Sequence, residues 1–155
     1  MKKTRIIGCG SLLMGDDAAG CQVARRLQEM DLPDHVEVIE GGTPGLKLLS
    51  IMQPGERVII VDAVVTGAPA GTLHHFLEED LPKPSVLPYS AHAIAIPEAI
   101  ALGRHLEPEL MPDTIEIWGI EVTTPLIKKM ETSREVSRGI DEMTQRLVRE
   151  LNIKD

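Results

Sequence analysis

Aromatic side chains are almost missing from this chain: Trp118, Tyr89 and Phe76 are the only three, 2% of the sequence. Lys and Arg are also outnumbered, 16 against 24 Asp and Glu, for a formal charge of −8. Without rings to stack on bases and without a basic patch, the chain lacks the footprint of a nucleic-acid or anionic-membrane binder. Cysteine is equally scarce. Cys9 and Cys21 alone cannot supply a disulfide scaffold or a four-thiolate zinc site, and a reducing compartment is the simpler expectation. No apolar run approaches the roughly 18 residues of a membrane span. Lys2, Lys3 and Arg5 around Ile6-Ile7-Gly8-Cys9 imitate a lipid-modified leader, but two strongly apolar residues fall short of the ~7–15 a secretory segment needs. The expectation is a cytoplasmic protein with no nucleic-acid contact and no membrane insertion.

What the sequence does hold is 43% apolar residues over 155 positions, enough for one domain, residues 1–155, with an aliphatic core. Short apolar runs bounded by Gly, Pro or acidic residues predict strands at 4–9, 36–39, 57–61 and 114–120, with 71–77 as a fifth. Residues 17–30 place Val23, Leu27 and Met30 on one helical face and Arg25, Arg26 and Glu29 off it. Further helices are expected at 46–52, 97–105 and 133–151, the last capped by Ser133 and turning Val136, Ile140, Met143 and Leu147 inward. Strands alternating with helices predict an α/β fold in three layers, a mostly parallel twisted sheet of about five strands between helices.

The chemistry concentrates after the first strand, in Gly8-Cys9-Gly10-Ser11-Leu12-Leu13-Met14-Gly15-Asp16-Asp17-Ala18-Ala19-Gly20. Gly8, Gly10 and an acid at Glu40 suggest dinucleotide binding. Leu13 stands in place of the third glycine, however, and Asp16 and Asp17 at the helix start would repel a pyrophosphate. Those two acids also have a structural explanation, Asp16 as a cap and Asp17 as complement to the helix dipole. Asp62 needs a different one, because it closes the apolar run Val58-Ile59-Ile60-Val61 where an acid adds nothing to a core. In a doubly wound sheet the loops after the first and third strands meet at the topological switch point, which would face Asp17 and Asp62 into one crevice.

Among the histidines, His74 and His75 alternate along a strand and cannot share a face. His35 lies in an acidic turn and His105 at a helix end. His92 follows the proline-rich segment 81–91 and can be carried over the strand ends. One imidazole with two carboxylates suits a divalent first-row metal with open positions. Ser11 lacks the Gly-x-Ser-x-Gly setting of a serine nucleophile, and Cys9 and Cys21 read as small core residues.

The glycine- and aspartate-containing run, together with Glu40-Gly41-Gly42-Thr43-Pro44-Gly45, Val61-Asp62-Ala63-Val64 and Ser90-Ala91-His92, resembles the hydrogenase maturation endopeptidases. The four blocks span the first hundred residues in order and spacing. The resemblance implies an α/β fold and an aspartyl-type endopeptidase that removes a C-terminal extension from a nickel-iron hydrogenase large-subunit precursor after nickel insertion. It implies nickel recognition by Asp17, Asp62 and His92, with the metal supplied by the substrate and Zn or Cd able to substitute. Asp16 is a candidate general base, and Gly41, Gly42 and Thr43 are candidate peptide contacts. Ser11 stands where the family commonly has Asn, Ala18 where many members have Gly, and Ala91 where Pro or Thr is common. A monomer is expected. The competing readings are a metal-binding assembly factor that cleaves nothing, and another hydrolase on a related sheet.

Overall fold

The computed structural model describes residues 2–11, 15–43, 45, 47–81, 95–123 and 132–154. Among these, five strands form one sheet: β1 (Thr4–Cys9), β2 (Val36–Gly42), β3 (Arg57–Val64), β4 (Leu73–Leu77) and β5 (Thr114–Glu121). Their spatial order is β2-β1-β3-β5-β4, with β4 antiparallel to β5 and every other pair parallel. Four α-helices accompany them: α1 (Ala19–Gln28), α2 (Lys47–Ile51), α3 (Ala95–Leu106) and α4 (Arg134–Leu151).

The central strands carry aliphatic residues on both faces because both faces are covered by helices. Ile6, Ile59, Val61 and Ile120 pack with Val23 and Leu27 of α1 and with Val136, Ile140, Met143 and Leu147 of α4. Their neighbours along the strands, Ile7, Val58, Ile60, Ile115 and Ile117, pack with Leu48 of α2 and with Ile96 and Ile100 of α3. This is the three-layer arrangement predicted, and the inward stripe of α4 is the one its spacing dictates. Ser133 caps α4 as expected, its Oγ accepting from the Val136 N–H at 3.4 Å. At the other end Asn152 takes the left-handed conformation (φ 52°) that closes a helix.

Several features differ from expectation. β3 runs on to Val64, so Asp62 lies within the strand, opposite Gly119, instead of closing it. β2 runs on through Gly42, because Glu40, Gly41 and Gly42 continue the strand along β1 although they lack its apolar pattern. A 3-10 turn, Gly15–Ala18, holds both Asp16 and Asp17, so α1 begins only at Ala19. β4 joins as an antiparallel edge strand, since residues 65–72 are too few for the crossover of a dozen or more residues that a parallel partner requires. The predicted segment 81–91 lies, apart from Leu81, outside the described residues.

The amino ends of the strands are held by charge. Arg5 makes a two-pronged pair with Glu56 at 2.8 and 3.0 Å, both side chains buried. Arg57 does the same with Glu116 at 2.5 and 3.1 Å, and Glu116 also receives Trp118 Nε1 at 3.2 Å and His75 Nε2 at 2.7 Å. Burial pushes the Glu116 carboxyl up, but its donors, Arg57 first, outweigh burial and hold it below the usual carboxylate range. A carboxyl lowered in the folded state stabilises above its unfolded pKa and loses that contribution as pH falls through the folded one. Glu116→Gln is therefore expected to cost roughly 1–3 kcal/mol at neutral pH, because it weakens the charged hydrogen bonds at Arg57 and leaves Glu150, 3.0 Å away, as its remaining carboxylate partner. It should also flatten the acid limb of a plot of melting temperature against pH, and unchanged melting at both pH 7 and pH 4 would contradict the assignment.

Candidate active site

β1 and β3 are neighbours, with β2 outside one and β5 outside the other, so the switch point of the sheet falls between them. The glycines of the first loop serve this junction. A β-carbon on Gly20 would overlap the carbonyl oxygens of Val61 and Cys9, and one on Gly10 (φ 125°) would overlap that of Asp17. Their absence lets the first turn of α1 sit directly on the carboxyl ends of both strands. The glycines thus act by close helix-to-strand packing, with no anion-binding role required.

That packing sets the two acids predicted from the strand ends. Asp17 is 3% exposed and Asp62 1%. Asp17 Oδ2 accepts from the Ser11 N–H at 3.4 Å, and Asp62 Oδ1 accepts from the Ala63 N–H at 2.8 Å. The Gly15–Ala18 turn packs on β3, which brings the turn bearing Asp17 to the strand bearing Asp62. Ala18, where a glycine is common in the resembling family, has φ −81° and needs no glycine. Carboxylates held in so little solvent interact strongly with any cation or developing charge that reaches them.

The nearby thiols are not part of that chemistry. Cys9 is pushed well up by burial and further by the charge of Asp62 and by Cys21. Cys21 is raised too, chiefly by burial, and its Sγ donates to the Gly10 and Gly8 carbonyls at 3.1 and 3.4 Å. Both are protonated core residues, as their sequence setting suggested.

The remaining candidates separate cleanly. Asp16 turns to a different partner from Asp17, its Oδ1 accepting from the Ser133 N–H at 2.7 Å. Glu40 lies within β2 and pairs with Arg25 at 2.7 Å, so the acid of the dinucleotide reading is occupied by an ion pair. Gly41 is buried, and a β-carbon there would come within 2.7 Å of Ile7 Cγ2, too close to fit unless that side chain moved. Gly42 (φ 63°) accepts from the Gly10 N–H at 2.9 Å, and Thr43 beside it is exposed, which puts this segment at the same end of the sheet as Asp17. His74 and His75 face opposite ways: His75 lies 4.7 Å from the Trp118 ring, while His74 stacks on Phe76 at 5.3 Å. His92 lies outside the described residues, among which no group of three or more His, Cys, Asp and Glu stands ready to hold a metal.

One residue at this edge escaped the sequence reading. Glu121, 1% exposed, accepts from the Thr66 N–H at 2.7 Å, the Thr66 hydroxyl at 2.6 Å and the Gly67 N–H at 3.3 Å, and lies 2.9 Å from His74 Nε2. It thereby pins the loop that continues the Asp62 strand. The signal that singled out Asp62, an acid closing an apolar strand, applies equally to Glu121.

The profile of the hydrogenase maturation proteases matches residues 21–150. A protein of Methanocaldococcus jannaschii assigned as a hydrogenase maturation protease is 34% identical over 152 residues, 97% of either chain. Among solved structures, a [NiFe] hydrogenase maturation protease of Thermococcus kodakarensis shares 27% identity with a TM-score of 0.78, over 96% of this chain and 99% of that one. The fold is also that of a hydrogenase-maturating endopeptidase of E. coli, with a TM-score of 0.81 at 24% identity, over 98% of this chain and 95% of the other. No helix among the described residues is long and apolar enough to cross a membrane. A profile that spans most of the chain and a relative one third identical from end to end place the chain in the hydrogenase maturation protease family, as an endopeptidase.

Proposed function

We propose that this endopeptidase works in the cytoplasm on a nickel-iron hydrogenase large-subunit precursor, removing its C-terminal extension once nickel has been inserted. In this reading Asp17, Asp62 and His92 recognise the nickel that the precursor carries, and the Gly41-Gly42-Thr43 segment contacts the peptide. The observation that supports it most is the pair of buried carboxylates, Asp17 in the turn that follows β1 and Asp62 near the carboxyl end of the neighbouring β3. Oxygen donors there suit a divalent cation, and the two protonated thiols nearby offer no soft competitor. Zn or Cd would be accepted by the same donors. Carboxylates and one imidazole hold nickel less tightly than a thiolate-rich site, so the metal arrives with the substrate and leaves with the product. Docking the precursor by its metal places the peptide bond next to the carboxylates, and such positioning is worth several kcal/mol of barrier.

The test is cleavage of matched precursors with and without nickel by chelator-treated enzyme. Processing of the nickel-bearing form alone is the expected result. Equal rates for the two would remove nickel as the recognition element and leave direct contact with the peptide through Gly41 to Thr43.

A further inference from the structure

Asp16 was the sequence candidate for a general base, and its surroundings give it other work. Its Oδ1 receives the backbone N–H of Ser133 at 2.7 Å, and Ser133 is the cap of α4. A second link runs parallel to it: Gln22 Nε2 of α1 donates to Thr132 Oγ1 at 2.9 Å. Two side chains from the start of the chain thus grip the two residues that precede α4. Val23 and Leu27 of α1 then share one core with Val136 and Ile140 of α4.

Direction separates Asp16 from its neighbour. Successive residues of a 3-10 turn project about a third of a revolution apart, so Asp16 and Asp17 cannot both face the same point. α4 lies on the face of the sheet that carries Ile59 and Val61. Alternation along β3 turns Asp62 to the opposite face, with Val58 and Ile60, which is also the face of Cys9. The Asp16 carboxyl is engaged on the α4 side, whereas Asp62 and Cys9 turn to the other face.

We propose that Asp16 is a positioning residue: by holding the capped start of α4 against the Gly15–Ala18 turn, it fixes the turn that presents Asp17. This rests on Asp17 belonging to the working site. The side-chain oxygen needed for the link is an acceptor only, and asparagine supplies the same acceptor in the same place. Asp16→Asn therefore keeps the tether and Asp16→Ala breaks it, whereas a base would be lost in both.

The experiment compares full-length wild type, D16N, D16A and D17N on nickel-bearing precursor, together with hydrogen exchange at the Ser133 amide. D16N is expected within about 3-fold of wild type in kcat/KM, with a superimposable pH profile and a protected Ser133 amide. D16A is expected to fall at least about 10-fold and to exchange faster at Ser133. If D16N is as inactive as D16A while Ser133 stays protected, Asp16 acts in the chemistry and the proposal fails. It fails too if D16A is fully active, or if D16N loses Ser133 protection. Should D16A not fold, D16N alone still decides between the two roles through its rate and pH profile. Full activity in D17N would instead overturn the reading of Asp17, a result separate from the behaviour of Asp16.

Discussion

Asp62→Asn is expected to cut precursor processing by at least about 100-fold while leaving the melting temperature unchanged or raised. Asparagine keeps the oxygen that accepts the Ala63 N–H, fits the same volume, and removes a charge that is 1% exposed within a strand otherwise aliphatic from Val58 to Val64. Removing a buried charge lowers the desolvation cost of the folded state, whereas the loss of an anionic ligand or electrostatic partner is worth several kcal/mol at the reacting end. Thermal denaturation and a precursor-shortening assay on the same preparation measure both halves. A variant that melts several degrees lower and processes normally would show that Asp62 serves the fold alone.

Gly20→Ala should have the opposite profile, a failure of folding that takes activity with it. Its new methyl group would overlap the backbone oxygens of Val61 and Cys9, and neither can move without separating β1 from β3. Overpacking against flexible side chains typically costs 1–3 kcal/mol. Here the obstacle is backbone, so a loss of at least about 3 kcal/mol is expected, a large part of the 5–15 kcal/mol that holds an ordinary domain together. Urea denaturation followed by far-ultraviolet circular dichroism tests this, and a midpoint equal to that of wild type would mean that α1 does not rest on the strand ends as described.

The contrast between these two positions shows what the sequence makes legible. Asp62 could be found because it violates a local pattern, an acid at the end of an apolar run, and buried polar residues stand out against the period of their element. Glu121 violates the same pattern, but its strand is not one of the two whose following loops meet at the switch point of a doubly wound sheet, so nothing in the sequence ties it to the acids after the first strand. The necessity of Gly20 is invisible in one dimension. It arises from two carbonyls that belong to other strands, and the same glycines read locally as a phosphate-binding turn. Glu40 is ambiguous for a related reason: its place in the chain fits a ribose-binding acid, while its partner, Arg25, is defined only once α1 lies beside β2. Helix α4 and strand β4 differ in the same way. The inward stripe of α4 was legible from its own spacing, but the direction of β4 depended on counting the connection before it.

The link from Asp16 to Ser133 spans 117 positions, and this has a consequence for how the enzyme comes into being. β1 and the turn after it are made early, yet the turn reaches its final environment only when α4 docks. Closing so long a loop is an entropic cost borne before the contact returns anything. A nascent chain can therefore assemble β1, β2 and β3 and still present Asp17 loosely. On the role proposed for Asp16, a chain cut short before α4 holds the glycines and both acids without the tether that sets the turn carrying Asp17.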